Sequence, residues 1–173
     1  MEINQQISKS LSDAFDRCIA LIKPLSQVEL QQKPDAHSWS VGQIVDHILI
    51  CSSDIPDRSI EATSRAYDER VPVIEQIFLD LDAKYEADQS LLPQQEYYDK
   101  EELLQRLLDC KTNLIVCHKD KDLMPLCKGM EFPQLGYLTR FEWLSFIAVH
   151  IQRHCYQIER VLEQIETEPS QEV

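Results

Sequence analysis

Two histidines four residues apart, His150 and His154, interrupt an otherwise apolar stretch, Phe141-Glu-Trp-Leu-Ser-Phe-Ile-Ala-Val-His-Ile-Gln-Arg-His154. On a helix this spacing stacks two imidazoles on one face, near enough to share a metal ion. Trp143, Ile147, His150, His154, Ile158, Val161 and Ile165 recur at steps of three and four, so the face is the inward stripe of an amphipathic helix. An imidazole on such a stripe needs a partner, which an ion supplies in one reading and ordinary core hydrogen bonds in the other. His47, in a second helix-like segment far upstream, completes a possible set of three. Three neutral imidazoles are a donor set for zinc and related divalent ions that leaves a position for water or substrate.

Residue types around the pair exclude some chemistries. A His-Glu-x-x-His metalloprotease needs glutamate where this chain has Ile151, and the His-x-x-Glu-His variant needs it where Arg153 stands. Cys155 follows His154 directly and so points about 100° away from it on a helix. Gln157 lies one turn beyond His154 and Gln43 one turn before His47, so either could orient an imidazole or a bound water; for Gln43 a helix-capping role is the simpler reading. Asp46 reads as a solvated surface acid, and His37 and His118 as surface histidines. Tyr137 could reach over the mouth of the site or simply pack.

The elements that must position these groups read as helices. Among 173 residues only three are glycine, 43% are apolar, and period-2 alternation is weak. A first helix is expected over residues 3–23, stopped by Pro24, with Ile3, Ile7, Leu11, Phe15, Cys18 and Ile22 on one face. Ser26 to Glu29 is a capping box for a short turn, and Ser40 with Gln43 opens the helix that carries His47, expected to end near Pro56. Residues 57–98 read as a long crossover holding at most a short helix. Asp99 caps a third long helix with Leu104, Leu107, Leu108, Leu114 and Ile115 inward, and Thr139 to Glu142 cap a fourth that runs to about Glu166. Between these two, Leu123 to Leu138 is an apolar loop. The fold class is therefore all-α: one four-helix-bundle domain over 1–173, with a core of about 3–166, a long crossover connection and a polar tail, 167–173.

Composition narrows the partners. A net charge of −13 argues against nucleic acid or an anionic membrane surface, and no apolar run is long enough to span a bilayer. The first residues carry no basic region followed by an apolar one, and the six cysteines lack Cys-x-x-Cys spacing, so a reducing cytoplasmic setting is expected. Residues 141–151 are apolar nearly all round, which predicts cover from the Leu123–Leu138 loop or from a second subunit, hence a homodimer.

Three segments together, Trp39-Ser-Val-Gly-Gln-Ile-Val-Asp-His47, Phe132-Pro-Gln-Leu-Gly-Tyr-Leu-Thr-Arg-Phe-Glu-Trp-Leu-Ser-Phe and His150-Ile-Gln-Arg-His154-Cys-Tyr-Gln157-Ile, resemble the DinB/YfiT-like superfamily over nearly the whole chain. The resemblance implies a four-helix bundle and one divalent ion per chain, zinc or nickel, bound by His47, His150 and His154. It also implies a choice of activities, because the family includes thiol-dependent transferases and isomerases alongside members of no known activity. The expectation is a thiol-dependent transferase acting on a small electrophile with a low-molecular-weight thiol. Hydrolysis by a metal-activated water and a non-catalytic metal- or ligand-binding module are the alternatives. No side-chain base stands on the histidine faces, which favours thiol transfer over hydrolysis.

Overall fold

A computed structural model of the chain describes residues 2–83, 85 and 87–167. Four long helices dominate it: α1 (Glu2–Ile22), α3 (Val41–Cys51), α5 (Lys100–His118) and α6 (Arg140–Thr167), with the short α2 (Gln27–Gln31) and α4 (Val71–Phe78) between them. Helix α1 packs on α5 and α6, and α3 packs on the same two, so the four close a ring around a shared apolar core. Ile7, Leu11, Phe15, Cys18 and Ile22 face that core from α1, the stripe their spacing predicts. The C-terminal tail beyond Thr167 lies outside the described residues.

Capping residues set most helix starts. Ser26 and Glu29 form the reciprocal box at α2, and Ser40 and Gln43 form it at α3. Gln43 Oε1 accepts from Ser40 N at 3.1 Å, so this side chain serves the cap. Asp99 caps α5, and at α6 Thr139 N–H donates to Glu142 Oε2 while Glu142 N–H donates to Thr139 Oγ1. The end of α3 differs from expectation: it stops at Cys51, short of Pro56. Ser53 Oγ donates back to Ile50 O and Ile55 N–H donates to Asp54 Oδ1, local bonds that compete with further helical turns.

The crossover does contain one short helix, α4, which starts at Val71-Pro72 and packs on α6. It also contains a two-residue strand, β1 (Ile60–Glu61), paired antiparallel with β2 (Leu126–Cys127) in the apolar loop. Strands this short carry no readable alternation. Helix α5 is rotated from its expected face: Leu103, Leu107, Leu114 and His118 are buried, whereas Leu108 is 44% exposed. Its sequence is leucine-rich on several sides, so periodicity alone is ambiguous. The apolar N-terminal half of α6 is covered within one chain, since Phe141, Ala148 and Val149 are all buried in the presence of α1 and α4. The packing reason for a second subunit is thereby met without one.

Candidate metal centre

Helices α3 and α6 bring His47, His150 and His154 together. Ring centroids lie 5.2 Å apart for His47–His150, 4.7 Å for His47–His154 and 4.4 Å for His150–His154. All three residues are buried. Gly42 allows the close packing that holds α3 in place, because a Cβ there would sit 2.9 Å from a ring carbon of Tyr98.

Hydrogen bonds set the imidazole tautomers. His47 Nδ1 lies 2.7 Å from Leu91 O, and a carbonyl can only accept, so Nδ1 carries the proton and Nε2 keeps a lone pair. His154 Nδ1 likewise donates to Gln157 Oε1 at 2.7 Å, which frees its Nε2. That Nε2 is 3.0 Å from His150 Nε2. With His154 Nε2 a lone pair, His150 must donate across this contact, and its buried Nδ1 is left without a partner. Pairing of the bare side chains therefore leaves one buried atom unsatisfied. Burial holds all three imidazoles below their ordinary pKa, His154 down to about 3 and His150 well below normal. They are neutral at pH 7, the form a metal takes.

The spacing of His150 and His154 suits two ligands of one divalent ion. Zinc–nitrogen bonds of 2.0–2.1 Å in a tetrahedron separate two ligand nitrogens by about 3.3 Å, near the observed His150–His154 contact. Among the described residues, His47, Cys51 and His150 form a group whose ligand atoms all lie within 4.8 Å of one another and that could hold a metal ion. Sequence reasoning misses Cys51, although it stands four residues after His47, the same spacing that singles out His150 and His154. Burial pushes its thiol up to about 11.

Aromatic and backbone groups shut the cluster in. Trp39 lies 5.2 Å from His47, and Phe146 and Phe78 lie 5.2 and 6.0 Å from His150, with Phe132 and Trp143 packed behind them. Arg153, between the two histidines of α6, donates from Nη1 to Phe78 O at 3.0 Å and to Asp80 O at 2.6 Å, and from Nη2 to Ala83 O. Its guanidinium also stands 5.2 Å over the Tyr85 ring. The segment after α4 is thus strapped beside the site by an arginine that would stand at a glutamate position in a metalloprotease. Arg153→Ala is expected to raise amide hydrogen exchange over residues 78–83 at least tenfold while leaving α1 unchanged, since three carbonyls lose a charged donor. Unaltered exchange in that segment would show that the strap holds nothing. Two surface depressions, about 510 Å³ beside α2 and about 400 Å³ between α1, α4 and α6, include none of the three histidines.

Other residues singled out in the sequence fall elsewhere. Asp46 is 3% exposed rather than solvated: it accepts from Tyr98 OH at 2.9 Å, Gln94 N at 3.0 Å and Arg106 Nη2 at 2.9 Å. These partners come from the crossover and α5, beyond the reach of any local pattern. His118 is 4% exposed, donates from Nδ1 to Leu114 O and lies 4.0 Å from the Asp57 carboxylate, which also binds Lys121 and Arg140. It does stand at a helix end, as its sequence position implies, but the loop carrying Asp57 covers it. His37 is exposed. Tyr137 lies under Lys128 Nζ at 3.7 Å, and its carbonyl accepts from Arg65, so it is engaged in the loop rather than with the histidines. Cys155 meets the Cys18 thiol between α6 and α1, on a different side from His154.

A mostly helical chain with an inward cluster of imidazoles and one thiol is a candidate metal-binding helical protein. The model of the DinB superfamily matches residues 10–158, so the chain belongs to that superfamily. It is similar to a Bacillus subtilis (strain 168) protein described as uncharacterized protein YuaE, with 26% identity over 152 residues, 84% of this chain and 90% of that one. No solved structure matches the chain. Among the described residues no helix is long and apolar enough to cross a membrane.

Proposed function

We propose that the chain is a divalent-metal-dependent enzyme whose ion, zinc or nickel, is held by His47, His150 and His154, and that it joins a low-molecular-weight thiol to a small electrophile. The observation that carries this reading is the pair of Nδ1–H bonds, to Leu91 O and to Gln157 Oε1, that make the Nε2 atoms of His47 and His154 lone-pair donors in a cluster with His150. Such partners fix the tautomer and orientation of metal-binding imidazoles. An ion bound there would supply a Lewis acid that keeps a thiol deprotonated at neutral pH. The chain's own share is placement and exclusion of water. Phe78, Phe146 and Trp39 surround the imidazoles with apolar surface, and Arg153 holds the adjoining backbone in place. The His47–Cys51–His150 group contains no carboxylate, which suits thiol transfer better than hydrolysis by a base-assisted water. A metal- or ligand-binding module is the second reading, favoured by the burial of all three histidines.

Protein purified without added metal should contain close to one divalent ion per chain by elemental analysis. His150→Ala should lose most of it, whereas His37→Ala, at an exposed position, should keep it. Equal content in the two variants would remove these ligands from consideration. The loaded protein should accelerate conjugation of a small thiol to a model electrophile, with the rate lost on chelation and regained with metal. Ester or amide hydrolysis without conjugation would move the assignment to a hydrolase, and neither activity would move it to the binding module.

A further inference from the structure

Cys51 stands one helical turn after His47 on α3, at the point where the helix ends. Its Sγ is 3.7 Å from His47 Nε2 and 3.8 Å from His47 Nδ1, so the sulfur lies against the imidazole ring. Nδ1 is already committed to Leu91 O, and the relevant distance is therefore the one to Nε2. In a tetrahedral zinc site with Zn–N of about 2.0–2.1 Å and Zn–S of about 2.3 Å, nitrogen and sulfur ligands are separated by about 3.5 Å. The observed 3.7 Å is near that edge in length, but the 3.8 Å to Nδ1 sets the sulfur beside the ring, so sharing an ion on the Nε2 lone pair requires the thiol to swing toward His150. His150 offers a nitrogen within 4.8 Å of both His47 and Cys51, so the sulfur faces a second helix as well as its own.

The other described cysteines are placed differently. Cys18 and Cys155 meet each other, Cys110 donates to Ser52 O, Cys127 is in β2, and Cys117 is exposed on α5. Cys51 alone belongs to the donor group.

We propose that Cys51 is a protein ligand of the same ion, so that the resting centre is held by histidine nitrogens and one cysteine sulfur and admits an outside thiol only by displacing that sulfur. The proposal rests on the metal-centre reading above. On coordination the sulfur binds as thiolate and its proton leaves to solvent; no electron changes hands. A thiolate among imidazoles turns the site toward zinc, nickel and cobalt and away from magnesium, calcium and manganese, which prefer oxygen. It also makes the access of an external thiol a ligand exchange between like donors, a natural selectivity for thiols over water.

Metal-free protein titrated with cobalt(II) provides the test by absorbance. At one equivalent the wild type should show the visible bands of a low-coordinate cobalt site together with a near-ultraviolet thiolate-to-cobalt charge-transfer band. Cys51→Ser and Cys51→Ala should lose the charge-transfer band and bind zinc about tenfold or more weakly in chelator competition, while Cys117→Ser should match wild type. Persistence of the band in both Cys51 variants would overturn the proposal. Visible bands without charge transfer in the wild type would also overturn it and leave the three-histidine centre standing. No cobalt or zinc binding by the wild type would overturn both.

Discussion

Replacing Glu142 with alanine is expected to destabilise the fold by about 3–5 kcal/mol, because it strands a buried charge. Glu142 is 0% exposed, and its carboxylate accepts from Arg65 Nη1 and Nη2 at 2.5 and 2.8 Å, Arg70 N at 2.7 Å and Thr139 N at 2.8 Å. One side chain thus caps α6, ties the crossover to it at two points and neutralises Arg65. Truncation leaves the guanidinium, itself largely buried, without its counter-charge and frees two backbone donors. The urea midpoint should fall with little change in slope. Arg65→Met in the same chain should return part of the loss, since the stranded charge disappears with it. A loss below about 1 kcal/mol, within the range of exposed ion pairs, would refute the assignment of this pair as a buried clasp.

Acidification of the metal-free protein should weaken it well above the carboxylate range. His150 and His154 are bases whose folded pKa is pushed down by burial, His154 to about 3, with the other cluster imidazoles and Arg153 adding to the effect. The unfolded chain therefore binds more protons below its histidine pKa of about 6.5, and stability falls as pH falls through that value. Between pH 6.5 and 5 each such histidine contributes a loss of about 2 kcal/mol, so the two together remove several. Asp16 and Asp57 are shifted below their ordinary carboxylate values and act only in more acidic solution, which separates the two windows. Chemical denaturation at a series of pH values, with chelator present, should show the decline start near 6.5 and become shallower in His154→Gln. A midpoint that stays level from pH 7 to 5 would mean that these imidazoles are not buried as neutral groups.

Local chemistry makes part of this architecture legible in the chain itself. The cap pairs Ser26/Glu29, Ser40/Gln43 and Thr139/Glu142 satisfy backbone donors within three residues, so they announce helix starts from sequence alone. The stripes of α1 and α6 repeat at the helical period, and they place Phe15 and Ile147 in the core and His150 and His154 on one inward face. Helix α5 shows where the same logic fails. Leucines at 103, 104, 107 and 108 allow two inward faces, and only contact with α1 and α3 selects the one through Leu103 and Leu107.

Sequence alone therefore carries the helical class, the main helix starts, the paired histidines of α6 and the acidic charge of the chain. Tertiary structure decided the rest of the site, because the deciding contacts join residues far apart. Asp46 meets Arg106 at a separation of 60 residues and Glu142 meets Arg65 at 77, so sequence neighbours cannot tell Asp46 from a surface acid or show that Glu142 does more than cap its helix. The strap from Arg153 to Ala83 spans 70 residues, and the short β1–β2 pair unites two segments that each look like loop. Cys51 is the instructive intermediate. Its spacing from His47 is readable, but a cysteine at that spacing has chemical meaning only once α6 places His150 opposite it, since a donor set is a property of converging side chains and not of one helix.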